Sequence, residues 1–148
     1  MATQQTINRH ARAMFEPLTV VREYAHKKMV RHAEGAFTVA EDLFNGCFDG
    51  IGITVEAVLL CVQWTSGNTG AISYRKRKIE AQFAGPIADS TYSLPEWGKI
   101  KERFADRIIV QLWAWIDREG FRVFEWDWLI WGWTEKPFIY RKKGVKSA

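Results

Sequence analysis

Tyr74-Arg-Lys-Arg-Lys78 sets four consecutive fixed cations behind a tyrosine, and Tyr140-Arg-Lys-Lys143 repeats the pattern near the other end of the chain. Guanidinium and ammonium groups at this density suit phosphates or an acidic protein patch, and the adjoining tyrosine can stack on a base or donate a hydrogen bond. The candidate partner-binding residues are therefore Tyr74, Arg75, Lys76, Arg77, Lys78, Tyr140, Arg141, Lys142 and Lys143, joined by Trp131 and Trp133 if those rings stand exposed. The structural alternative is a charged edge strand that keeps sheets from pairing with one another. Formal charge is +4, while Arg75 to Lys78 contribute +4 and Arg141, Lys142, Lys143 and Lys146 another +4, so the rest of the chain sums to 4 − 8 = −4. Basicity is local, which fits a basic site or tail and not a generally cationic surface.

Residue patterns for catalysis are weaker. His32-Ala-Glu34 has the H-x-E form of zinc nucleobase deaminases, but the P-C-x-x-C half of that signature is absent, and Cys47 and Cys61 stand far apart without a preceding proline. His10, His26 and His32 lack the four-residue spacing that puts two ligands on one helix face, so neither a metal nor another cofactor is expected. A nucleophilic Ser66 or Cys47 would need a histidine and an orienting carboxylate, and all three histidines fall within the first 32 residues. Asp49-Gly-Ile-Gly52 and Ser66-Gly-Asn-Thr-Gly70 lack the lysine of a P-loop and the third glycine of a dinucleotide fingerprint, and Glu41/Asp42 is a generic acidic pair. An enzyme would have to use an unfamiliar site.

The elements that must position these residues read as α+β. Residues 17–34 carry Leu18, Val21, Ala25, Met29 and His32 at helical spacing, with Pro17 in the first turn and Gly35 as terminator, and Thr6 caps a shorter helix before them. Thr38-Val-Ala-Glu41 has the form of a capping box and predicts a short helix to about residue 45. From Gly52 to Trp64 the chain reads as one strand, Ser66 to Gly70 as a turn, and Ala71 to Phe83 as the returning strand of a hairpin. Four cations in a strand fall two to each face, so that segment has to project or lie on an edge.

Ser93-Leu-Pro-Glu96 opens a predicted long helix, about 95–119, which Gly120 ends. Its second half adds Ile109, Val110 and Trp113, so its apolar surface wraps round as a central core helix would. Beyond Gly120 the period is two: Arg122, Phe124, Trp126 and Trp128 point one way, Val123, Glu125 and Asp127 the other. Trp131 and Trp133 fall on the wrong parity unless a bulge near Leu129 and Ile130 brings them round. Residues 134–137 read as a turn and residues 138–142 as a last strand, with a basic tail over 141–148. The expectation is one domain, an antiparallel sheet of about four strands in two hairpins packed on the long helix, with helices before it.

At 148 residues with 47% hydrophobic content the chain can bury a core, and the eight tryptophans supply much of it. No apolar run reaches the ~18 residues of a membrane span, no signal peptide is evident at the start, and two cysteines make no disulfide framework, so a cytoplasmic protein is expected. Missing catalytic motifs and surplus aromatic surface favour a small interaction protein that binds a protein partner, such as an inhibitor, adaptor or assembly subunit of the kind phages and mobile elements encode. The alternative is a nucleic-acid-binding module built on the two basic clusters.

Overall fold

Thr3 opens the first helix, its hydroxyl accepting the Thr6 amide at 3.2 Å. The computed structural model describes residues 3–31, 33, 35, 37–41, 43, 46–88 and 94–137. Helix α1 (Gln4–Leu18) buries Ile7, Ala11, Met14 and Phe15, the one-sided spacing of a helix laid on a sheet. Strands β1 (Val21–Tyr24), β2 (Lys27–Arg31), β3 (Phe37–Glu41), β4 (Gly50–Ile53) and β5 (Leu59–Ser66) follow. Then come α2 (Thr69–Ala88), α3 (Leu94–Arg107), β6 (Ile108–Ile116), β7 (Gly120–Asp127) and β8 (Gly132–Lys136).

The fold is α+β with a six-stranded mixed sheet ordered β1-β4-β5-β6-β7-β8, and β2 and β3 form a separate two-stranded ribbon. β5 and β6 run parallel, joined through α2 and α3, while the other neighbours in the large sheet are antiparallel. Strand alternation divides the core into two layers. Leu60, Val62, Trp64, Trp113, Trp115, Phe121 and Val123 face α1. Cys61, Val110, Leu112, Ala114, Phe124, Trp126 and Trp128 face the opposite layer, with Ile72, Ile79 and Phe83 of α2 and Phe104 of α3.

Several expectations are corrected, each by a tertiary pairing that local pattern does not reveal. The helix over 17–34 is not formed: α1 stops at Leu18, where the Thr19 hydroxyl bonds the Phe15 carbonyl at 3.0 Å, and Val21–Tyr24 pairs with Gly50–Ile53. Thr6 lies inside α1 instead of capping a helix. Thr38-Val-Ala-Glu41 is strand β3, with Thr38 opposite Val30 and Glu41 opposite Lys27, so ladder pairing overrides the capping-box pattern. The strand expected from Gly52 to Trp64 is two strands. Between them the Thr54 amide bonds the Val58 carbonyl and Ala57 adopts φ 63°, a turn with no glycine or proline to announce it.

The segment over 71–83 is helix α2, started by the Asn68 side chain, which accepts the Gly70 and Ala71 amides at 2.8 and 3.3 Å. Ile72, Ile79 and Phe83 then recur along one stripe. The long helix over 95–119 ends at Arg107, and its second half is β6. Apolar residues all round a segment mark either a central helix or a strand covered on both faces, and the branched and aromatic run from Ile108 to Ile116 takes the second course. The sheet therefore has six strands of mixed direction where about four antiparallel strands were expected.

The alternation after Gly120 holds: Phe124, Trp126 and Trp128 share one core layer, while Val123 joins the other. No bulge is needed, because a turn over 128–131, with Trp131 at φ 57°, reverses the chain and sets Trp133 opposite Trp126. Residues 134–137 are not a turn, since β8 runs to Lys136. The strand expected over 138–142 and the basic tail lie outside the described residues.

Candidate functional site

Asp49 stands immediately before β4, held on both sides: its amide donates to the Val62 carbonyl and its carbonyl accepts from Ala25, both at 2.9 Å. Its Oδ2 accepts the Trp64 amide at 2.8 Å and the Gln63 Nε2 at 3.0 Å. Gln63 shares the inward face of β5 with Cys61 and is 1% exposed. With Nε2 committed to Asp49, its Oε1 is buried and has no hydrogen-bond partner among the described residues. An orphaned buried acceptor costs about 1–3 kcal/mol, so a fold keeps one only under some compensating demand.

Lys78 reaches the same region from α2, its Nζ donating to the Gly46 carbonyl at 2.7 Å. Arg75, one turn earlier, shares that flank of the helix, and both side chains are half-buried. The Cys47 thiol lies between the opposing charges. Burial pushes it up to about 11, Lys78 pulls it down and Asp49 raises it. Burial and the nearby Cys47 push Cys61 up to about 12. Both thiols stay protonated at neutral pH and are poor nucleophiles.

The groups that meet are the Asp49 carboxylate and the Gln63 amide, whose Nε2 faces the carboxylate, with the Lys78 ammonium close enough to act on the adjoining Cys47 thiol. Among the described residues no three His, Cys, Asp or Glu side chains gather into a metal cluster. A carboxylate with one neutral oxygen is nonetheless a sufficient protein contribution for Mg²⁺, which keeps several waters and completes its shell with substrate phosphates.

The basic cluster identified in the sequence is divided by the helix. Lys78 reaches the Gly46 carbonyl, Arg75 is half-buried and Arg77 is exposed. Lys76 takes the opposite flank, 4.0 Å from the Phe124 ring centre and 6.0 Å from that of Trp133. Tyr74 is exposed, with the Arg75 guanidinium 5.7 Å from its ring centre. Trp131 and Trp133 are half-buried and pack on Trp126 at 5.1 and 5.3 Å, and the Trp133 Nε1 donates to Glu80 at 2.9 Å. They pack against the core and each stays partly accessible. Tyr140, Arg141, Lys142 and Lys143 lie outside the described residues, as do residues 32 and 34 of the His32-Ala-Glu34 motif.

Asp49 and Gln63 were missed in the sequence, although a signal exists. Gln63 interrupts the apolar run from Val58 to Trp64 at a position whose parity points inward, and an unexplained polar residue there calls for a partner. Comparison with protein families, with curated proteins and with solved structures finds no match to this chain.

Proposed function

We propose that the protein binds the phosphodiester backbone of nucleic acid at Asp49, Gln63 and Lys78 and hydrolyses it with the help of a divalent cation. The observation that carries this reading is the buried Gln63 Oε1, unpartnered among the described residues, on the amide whose Nε2 donates to Asp49. Asp49 and Gln63 would hold a cation there, which would satisfy the orphaned oxygen, and Lys78 would neutralise the phosphate. A divalent cation held by these residues would supply a water acidified from ~15.7 toward neutrality. Hydrolysis would then exchange one P–O ester bond for a bond from the water oxygen to phosphorus, with a water proton passing to the departing alkoxide oxygen. The thiols, protonated at neutral pH, take no part.

The test uses labelled single-stranded and duplex oligonucleotides with Mg²⁺, Mn²⁺ or a chelator. Cation-dependent cleavage is expected, lost in Asp49→Asn and lowered about 10²-fold in Lys78→Met, the scale of removing one electrostatic stabiliser. Calorimetry that detects no Mn²⁺ binding sensitive to Asp49→Asn, together with intact substrate, overturns the reading.

A protein partner is favoured by a different observation. Leu18, Val20, Val21, Ile53 and Val55 are all exposed, and the Val21–Ile53 pair lies at the end of β1 and β4 away from Asp49. Such an apolar cluster is a docking surface for a partner with a matching apolar patch. A partner that co-purifies after nuclease treatment and is lost with Val21→Glu/Val55→Glu supports this second role; recovery unaffected by those changes refutes it.

A further inference from the structure

The chain leaves the large sheet after Tyr24 and rejoins it at Gly50, and between these points β2 and β3 form the separate ribbon. Both roots of this excursion are fixed at the candidate site. On the way out the Ala25 amide donates to the Asp49 carbonyl at 2.9 Å, and on the way back the Gly46 carbonyl accepts the Lys78 ammonium at 2.7 Å. Lys27 follows Ala25 by two residues and Arg31 by six, so the strand sets them at most about 7 and 21 Å from Ala25. The cations of β2 therefore start beside Asp49 and run outward from it.

Charge on the ribbon is unevenly divided. β2 contributes Lys27, Lys28 and Arg31, while β3 contributes only Glu41, opposite Lys27, so the paired residues carry a net +2. Strand alternation sets Lys27 and Arg31 on one face and Lys28 on the other. A flat anionic surface meets one face of such a ribbon. The major groove of duplex DNA meets both, since it is ~12 Å wide, admits a two-stranded ribbon and has a phosphate backbone on each wall. The deep, narrow major groove of an RNA duplex does not admit one, and a single strand offers one backbone only. A ribbon of two strands is also marginally stable alone in water, so an enclosing groove favours its folded form.

We infer that the β2–β3 ribbon enters the major groove of duplex DNA, with Lys27, Lys28 and Arg31 against the phosphates, which makes duplex DNA the preferred substrate. The inference rests on the reading of Asp49, Gln63 and Lys78 as the backbone site. The root of the ribbon then lies at the edge of the groove, where Asp49 meets the backbone.

The test measures fluorescence anisotropy of the full chain with a labelled DNA duplex, the matching RNA duplex and the DNA single strand. A chelator prevents cleavage, and salt is varied from ~50 to ~200 mM. Tightest binding to the DNA duplex is expected. Lys27→Gln/Lys28→Gln/Arg31→Gln should lower the logarithmic salt slope by about 2.7, at ~0.9 per phosphate contact, so that its affinity falls about 40-fold less than wild type over that range. Lys27→Arg/Lys28→Arg/Arg31→Lys keeps the charge and should keep the slope, which separates lost charge from a ribbon that fails to form. Equal affinity for the three ligands, a slope unchanged in the glutamine variant, or a slope lowered as much in the charge-keeping one overturns the inference. In each case cleavage that still depends on Asp49 leaves the backbone site standing. The expected slopes without any Asp49-dependent cleavage overturn that reading and leave the ribbon's role. No binding of any nucleic acid overturns both.

Discussion

Two thiols set beside a carboxylate and an ammonium make a quiet interior that titrates only in strong base. Cys47 and Cys61 are buried, and burial raises them from 9.0 to about 11 and about 12. The neutral thiol is therefore favoured in the folded state. Its stabilisation is complete below the unfolded value and is lost as pH rises through the folded one. Stability should fall between about pH 9 and pH 11, by up to about 1.4 kcal/mol per pH unit for each thiol. Denaturant unfolding across that range measures the slope, and a Cys47→Ala/Cys61→Ala variant should flatten it relative to wild type. A slope unchanged in the variant would assign the loss to lysines and tyrosines instead.

Among the elements, α3 contains a glycine that no packing demands. A Cβ built on Gly98 meets nothing within 4 Å, and the residue is exposed in mid-helix. Gly98→Ala should therefore stabilise the fold by about 0.8–1 kcal/mol and raise the melting temperature by about 2–4 °C, readable by calorimetry. Gly67 is its opposite: an added Cβ would come within 2.3 Å of Ile116 Cδ1 and 2.6 Å of the Trp115 carbonyl. The same contrast explains what was legible in the sequence. The period-two run from Phe121 to Asp127 was readable because its two faces differ in kind, aromatic on one and mixed on the other. Helix α2 was not, because its four cations leave only a narrow apolar stripe of Ile72, Ile79 and Phe83, with the Lys76 ammonium set over the Phe124 ring. The β6 segment was misassigned because burial on both faces erases periodicity. The candidate site was invisible as a motif: Asp49 and Gln63 are 14 residues apart and meet only through antiparallel pairing of β4 with β5.

At the scale of the whole molecule, the layers divide the labour. α1 and its side of the sheet hold Trp64, Trp113 and Trp115, while the opposite layer holds the tryptophans of the β7–β8 hairpin together with the Gln63 amide bonded to Asp49. The described residues include no helix long and apolar enough to cross a membrane. The two proposed surfaces lie at opposite ends of the β1–β4 pair, so an apolar partner and a nucleic acid need not compete. The parallel seam between β5 and β6 has a different bearing, on the birth of the chain. On a ribosome adding about 5–20 residues per second, residues 67–107 take about 2–8 s to follow β5. Throughout that interval the β6-facing edge of Leu59–Ser66, which includes Gln63, is open to any strand that arrives first. The strand that later carries Gln63 in the interior thus begins with an unpaired edge.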